Sequence, residues 1–272
     1  VLSLLFYHLL WETLNSTVSH LSQKNVLTTI RDLEVVADPT TYLSLMCSQL
    51  RRSGIEKVDL ATSHRILRSQ NFEGIPGFIP HFRLFALASA QKDPGSTRFE
   101  LTKFQEHLEF YLDLLMRLNE STRFEISDIT VEVSDMRVTE RIINLHQIDR
   151  SHLGRKTQQP NFSFFEDYNI PLSKTISLKE LGEFDESLKQ ISFELTLLRD
   201  SVLIQLGQLF PSVKFCFNHE RIAGMGYYSD FCFKITGMNK LPLQKLPSTH
   251  GGVSHWTQQF LHSKKERFFS SA

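Results

Sequence analysis

The residues of this chain best placed to do chemistry lie between positions 212 and 252. Gly224, Gly226, Tyr227 and Tyr228 stand in one short stretch, with Arg221 just ahead of it. Glycine lets a backbone take angles, or approach a ligand, in ways a side chain would block. Two tyrosines beside such a turn make a place where a small amphipathic ligand could lie. Alternating apolar runs flank the turn: Val213, Phe215 and Phe217 before it, and Tyr227, Phe231, Phe233 and Ile235 after it. Period-two runs on either side of a turn predict an antiparallel β-hairpin. The plainer alternative is a hairpin whose turn is merely tight and whose aromatics merely pack.

Other candidates are sparser. Ser63-His64-Arg65 could bind an anion or carboxylate at a strand end, or could form a surface ion pair and start a helix. His146 and His152 have no ligand spacing with another His, Cys or acid, so no metal site is expected. The three cysteines, Cys47, Cys216 and Cys232, are odd in number and widely spaced, which argues against a disulfide framework or a CxxC site. Cys216 and Cys232 would sit on the two hairpin strands and could be neighbours. Buried, reduced thiols are expected, which suits a cytoplasmic protein. There is no Walker loop, dinucleotide fingerprint, zincin motif or nucleophile elbow, and no cofactor is expected.

The elements that must position the turn follow from periodicity and caps. Leu2, Leu5, Leu9, Leu10, Leu14, Val18 and Leu21 predict a helix over 2–24, and strand character appears toward the end of 26–36. Asp38 followed by Pro39 starts a helix that Gly54 ends. A short strand is expected from Ile55 to Leu60, a loop over 70–80 and a strand from His81 to Ser89. A turn at 91–96 precedes a helix, or a strand plus helix, over 98–118 with Phe104, Leu108, Leu112, Leu115 and Leu118 on one stripe. Phe124 to Val133 is a clear strand, followed by a short helix over 137–144. Residues 145–175 are polar and irregular and read as an insertion, lid or mobile connection. The longest helix is expected over 177–208, closed off by Pro211. Residues 237–250 read as a loop, 252–263 as the start of a helix, and Arg267-Phe268-Phe269 as a last strand.

The sum is an α+β chain with a mainly antiparallel sheet flanked by long helices, in a single domain over 1–272. A net charge of zero excludes a global field that would attract nucleic acid. No segment is long enough to span a bilayer. The apolar start, Val1 to Trp11, is roughly half a span and lacks the features of a signal peptide. With no initiator Met, and an end soon after Phe269, the chain is expected to be a fragment or processed form.

The order of helix 185–208, strand, glycine turn, Tyr227-Tyr228 and Gly251-Gly252 resembles the end of a class II histidyl-tRNA synthetase core. That family carries Arg-Gly-Leu-x-Tyr-Tyr-Thr-Gly, then a strand ending in Phe-Glu, then Gly-Gly-Arg-Tyr-Asp. Here the matching stretches are Ala223-Gly224-Met225-Gly226-Tyr227-Tyr228-Ser229-Asp230, then Phe233-Lys234, then Gly251-Gly252-Val253-Ser254-His255. The resemblance spans about residues 185–256. Toward the N-terminus, His81 to Glu109 is similar to the family's motif 2 hairpin, with Arg83 in Phe82-Arg83-Leu84-Phe85. The stretch from Val58 to Arg65 is a competing placement.

The departures shape what the resemblance implies. The family's arginine falls on Ala223, and Arg221, two residues away, would need a shifted backbone to replace it. The glycine after the tyrosines is Asp230, and Phe82-Arg83-Leu84-Phe85 lacks the family's acid. Adenylate formation depends on positive groups aimed at phosphate and carboxylate charge. The resemblance therefore implies a synthetase fold without reliable aminoacylation chemistry, a pseudoenzyme. Gly224, Gly226, Tyr227, Tyr228, Arg221 and Arg83 would line a site for a small amino-acid ligand. One such relative is the regulatory subunit of ATP phosphoribosyltransferase, which senses histidine while its partner catalyses the first step of histidine biosynthesis. The resemblance thus implies an oligomer with a partner protein or a homodimer. The alternatives are an active class II ligase, or a tRNA-binding or dimerisation scaffold.

Overall fold

The computed structural model describes residues 5–7, 28–29, 33–67, 79–121, 123–150, 153, 162–241, 243–246 and 248–272. They fall into two compact units, Val1–Asp93 with Ser254–Ala272, and Pro94–Val253.

In the first unit, β1 (Leu5–Tyr7), β2 (Thr28–Thr29) and β3 (Leu33–Val35) form a small antiparallel sheet in the order β1-β3-β2. Leu5–Tyr7 is therefore strand, not helix. Its backbone groups pair with β3, and that pairing overrides the leucine spacing. The rest of the predicted helix lies outside the described residues, as does nearly all of the predicted loop over 70–80. Helix α1 (Pro39–Arg52) starts as expected: Asp38 Oδ1 accepts from the Thr40 backbone N–H at 2.8 Å, and Pro39 opens the first turn. Gly54 follows the helix end with φ +96, an angle that suits glycine. In the last turn, Arg51 makes a two-pronged pair with the buried Glu266, at 2.8 and 2.9 Å.

Strand β4 (Lys57–Leu67) pairs antiparallel with β5 (His81–Lys92) from Lys57↔Gln91 to Leu67↔His81. The short strand expected from Ile55 to Leu60 thus runs on through Ser63-His64-Arg65, and no helix starts there. The other edge of β5 pairs with β11 (Glu266–Ser271). Short helix α8 (Trp256–Leu261) packs on α1.

The second unit is built on β6 (Ile126–Asp135), whose Val131 and Val133 are fully buried. It pairs in parallel with β7 (Lys214–Phe217) and antiparallel with β8 (Phe231–Lys240). In turn, β8 pairs with β9 (Leu243–Lys245) and β10 (Thr249–Ser254), so part of the expected loop over 237–250 is strand. The predicted hairpin is therefore overturned: its two runs are strands, but β6 lies between them. Alternation fixes which face of a strand is buried, not which strand lies beside it. Cys216 faces Glu132, Cys232 faces Ser134, and the two thiols are not neighbours.

A parallel pair needs a long crossover, and helices supply it. Helix α2 (Arg98–Asn119), which precedes β6 and is not part of that crossover, lays Phe104, Leu108 and Leu112 on the sheet, with Phe104 edge-on to Phe233 at 5.5 Å. The crossover then contains α3 (Met136–Leu145), α4 (Phe164–Asp167) and α5 (Leu178–Phe184), the last opened by a Ser177/Glu180 capping box. The predicted single helix over 177–208 breaks at Asp185. Its extended backbone ends α5, and its carboxylate accepts from the Ser187 N–H at 3.0 Å to start the next helix. That helix runs from Glu186 to Leu209: a 3-10 turn, α6 (Lys189–Leu198), a π-helical turn (Arg199–Leu203) and α7 (Ile204–Leu209). Among the described residues, no helix is long and apolar enough to cross a membrane.

Candidate functional site

The segment joining β7 to β8, residues 218–230, carries the tyrosine turn, and both its ends are pinned. At the entry, the Asn218 and His219 N–H groups donate to the Val133 and Lys174 carbonyls at 2.8 and 3.0 Å. Glu220 accepts from Ser163 Oγ at 2.9 Å, and the Arg221 carbonyl accepts from Thr139 Oγ1 at 2.8 Å. At the exit, Ser229 N–H donates to the Val253 carbonyl at 2.9 Å. Between these anchors, the Tyr227 and Tyr228 N–H groups both donate to the Gly224 carbonyl. Gly224 and Gly226 hold φ values of +94 and +81, so both are required as glycine by the turn itself.

The glycines also make room for one ring. A Cβ on Gly224 would lie 2.6 Å from Tyr228 Cδ2, and one on Gly252 would lie 2.7 Å from Tyr228 Cδ1. Tyr228 is thus seated between the turn and β10. Tyr227 meets it edge-on at 4.8 Å.

Arg221 lies against this ring, its guanidinium carbon 5.8 Å from the Tyr228 centroid. It is only 6% exposed, and that burial sets its chemistry. Nε donates to the Ala223 carbonyl at 2.9 Å, and Nη2 meets His250 Nδ1 at 3.1 Å. Nη1 is buried with no acceptor among the described residues, and no carboxylate there pairs with this side chain. A guanidinium has no acceptor and keeps its charge. His250 must therefore accept at Nδ1 and carry its proton on Nε2, which meets Ser248 Oγ at 2.7 Å. Burial first, then Arg221 and Lys234, pushes the His250 pKa down to about 3, so this imidazole is neutral. Cys232 is no counter-ion either. Burial pushes its thiol up to about 12 against the pull of Arg221.

Arg137 in the same unit is the opposite case. It pairs with Asp135 at 2.6 Å, Glu194 at 2.7 Å and Asp230 at 3.2 Å, and lies 5.5 Å over the Phe231 ring. Burial pulls its pKa down, but the hydrogen bonds and charge of Asp135, with Asp230 and Glu194 behind them, more than offset that and raise it. Asp135 also caps α3 through the Arg137 N–H at 2.9 Å. Asp230, standing where the resembled motif has glycine, is thus a counter-ion to Arg137.

Of the residues singled out in the sequence, Arg221, Gly224, Gly226, Tyr227 and Tyr228 come together in this turn. Arg221 folds back onto the Ala223 carbonyl. Arg83 lies in the first unit, exposed on β5, where Nη1 donates to the Ser63 carbonyl at 2.9 Å. It stands directly opposite Arg65. Sequence reasoning missed His250, Asp135, Arg137 and Glu194. The Asp135-Met136-Arg137 run at a strand-to-helix junction was a visible signal for a capped start. Nothing local tied His250 to Arg221. Among the described residues, no three His, Cys, Asp or Glu side chains converge to hold a metal ion.

No protein-family model matches the sequence, and no curated protein matches it. Solved structures do. An ATP phosphoribosyltransferase regulatory subunit/histidyl-tRNA synthetase from Bacillus halodurans C matches 98% of this chain and 69% of its own, at TM-score 0.63 and 16% identity. A histidine–tRNA ligase subunit from Alicyclobacillus acidocaldarius matches 98% and 82%, at TM-score 0.64 and 14% identity. The ATP phosphoribosyl transferase (HisG:HisZ) complex from Thermotoga maritima matches over 92% and 85%, at TM-score 0.51 and 13% identity. The chain has the fold of the class II histidyl-tRNA synthetase-like proteins.

Proposed function

We propose that this protein is a non-catalytic, synthetase-like regulatory subunit that binds a small amino acid through its carboxylate at Arg221 and acts on a partner protein. One observation carries the ligand half. Arg221 is a buried cation whose acceptors are a carbonyl and a neutral imidazole, with one nitrogen unpartnered among the described residues. Burying a charge without an opposite charge costs several kcal/mol, and a carboxylate ligand supplies the missing charge. Because Nη1 is sealed in, the ligand enters by displacing the turn. The two glycines at positive φ are the natural hinges for that movement. The likeness to a phosphoribosyl transferase complex supports a partner of that kind. Calorimetry with the twenty amino acids tests the ligand half: at least one binds the wild type, and Arg221→Met weakens that binding by about a hundredfold or more. A folded wild type that binds none contradicts it.

A second reading is an adenylate-forming ligase. It draws on Arg65 and Arg83, which face each other across β4 and β5 with no carboxylate paired to either among the described residues. ATP–pyrophosphate exchange with each amino acid decides this reading, and a flat result removes it.

A further inference from the structure

We infer that His250 is a positioning residue: its Nδ1 holds the guanidinium of Arg221 so that Nη1, and not the Nε/Nη2 edge, meets the ligand's carboxylate. This rests on the carboxylate-binding reading of Arg221. A guanidinium offers two paired edges and can turn either toward an anion. Here Nε is taken by the Ala223 carbonyl at 2.9 Å and Nη2 by His250 at 3.1 Å. Two protein acceptors on adjacent nitrogens fix the plane of the group. The nitrogen left over is Nη1, the one without an acceptor among the described residues.

The choice of a histidine at this place has a chemical logic. A carboxylate at position 250 would neutralise Arg221 and compete with the ligand. A lysine would repel the Arg221 guanidinium and offer no acceptor. A neutral imidazole accepts one hydrogen bond and leaves the charge intact. Its own orientation is held from the far side, where Nε2 meets Ser248 Oγ at 2.7 Å. The backbone is held too, because His250 lies in register with Lys234 on the pairing of β10 with β8. Ser248, His250 and Arg221 therefore form a short chain of polar contacts that runs to the ring of Tyr228.

The test uses the full chain in three variants. His250→Asn keeps an acceptor close to where Nδ1 stands. His250→Gln keeps a polar amide but moves the acceptor one methylene further out. His250→Leu removes it. Each is titrated by calorimetry with L-histidine and the other nineteen amino acids, with thermal unfolding recorded alongside to confirm that each variant is folded. His250→Asn is expected to stay within about threefold of wild-type affinity, and His250→Gln and His250→Leu to weaken binding about tenfold or more, the worth of one charge-assisted hydrogen bond. Undiminished binding in folded His250→Leu or His250→Gln overturns the inference. Loss in His250→Asn equal to that in His250→Leu overturns it as well. Should His250→Leu fail to fold, the contrast of Asn with Gln decides. A wild type that binds none of the twenty overturns the carboxylate reading itself, a separate outcome from the other two.

Discussion

Two arginines in one unit, Arg221 buried and Arg137 half-buried, should respond to the same substitution to very different extents. Arg137→Met leaves Asp135, whose side chain is fully buried, without its cation, and removes the partner of Glu194 and Asp230. Breaking a buried pair by removing one member costs about 3–5 kcal/mol. Arg221→Met removes two hydrogen bonds from a charged donor, each contributing about 1.5–3 kcal/mol. It also removes a contact with the Tyr228 ring of roughly 0.5–2 kcal/mol. Against these losses stands relief of an uncompensated buried cation, several kcal/mol. The opposing effects are of similar size, so Arg221→Met should lie within about 2 kcal/mol of wild type while Arg137→Met falls well below it. Urea unfolding of both variants, without ligand, measures the difference. Equal, large losses in the two would refute the reasoning, because Arg221 would then be a structural pillar and not a charge held for a ligand.

Acid should unfold the protein through its buried imidazoles. Burial holds His219 near 4 and His250 near 3, both below the unfolded value of about 6.5. The unfolded chain takes up protons first, so stability present above about pH 6.5 is lost as the pH falls toward 4 and then 3. His219 alone accounts for about 3 kcal/mol of this, and His219→Phe, which keeps a flat ring against Phe217, should flatten urea-unfolding stability measured from pH 7 to 4. An unchanged slope would count against that assignment. Gly224→Ala and Gly252→Ala should each destabilise by about 1–3 kcal/mol, since the new methyl meets Tyr228 at 2.6 Å in the first and Cys232 Cβ at 2.6 Å with the Phe231 carbonyl and Tyr228 at 2.7 Å in the second. Both should change the near-ultraviolet tyrosine signal, and a neutral outcome in both would show that the ring is not seated as described. With burial pushing Cys47 and Cys232 up to about 12, neither should react with a thiol reagent before unfolding. Mild oxidation should not join Cys216 to Cys232 across β6, and a disulfide between them on mass analysis would contradict the strand order.

What the sequence revealed and what it hid divide along the range of the forces involved. Helix α1 was legible because Asp38, Pro39 and Gly54 act within a turn of their own backbone. Strand β6 was legible because Ile129, Val131 and Val133 alternate, and α2 because its apolar stripe repeats at helical spacing. The glycines of the tyrosine turn were legible because positive φ is a local demand. Strand partners were not. The runs around Phe215 and Phe233 carry the same alternation whether they pair with each other or each with β6. Ser63-His64-Arg65 resembled a helix start because its pairing with Phe85, Leu84 and Arg83 is contributed by a strand some twenty residues away. The break at Asp185 is a cap that only the competing extended backbone exposes. At the site, the tyrosines and Arg221 are close in sequence and were found. His250 reaches Arg221 across 29 positions, and Glu194 and Asp230 reach Arg137 from two other elements.

The central claim, that the unpartnered nitrogen of Arg221 takes a ligand's carboxylate, is tested most directly by comparing each amino acid that binds with its decarboxylated amine. Histidine and histamine are the first pair. Calorimetry should show binding by the amino acid, at least a hundredfold weaker binding by the amine (about 3 kcal/mol, the upper range for a hydrogen bond to a charged group), and no difference between the two in Arg221→Met. Equal binding of acid and amine by the wild type would contradict the account.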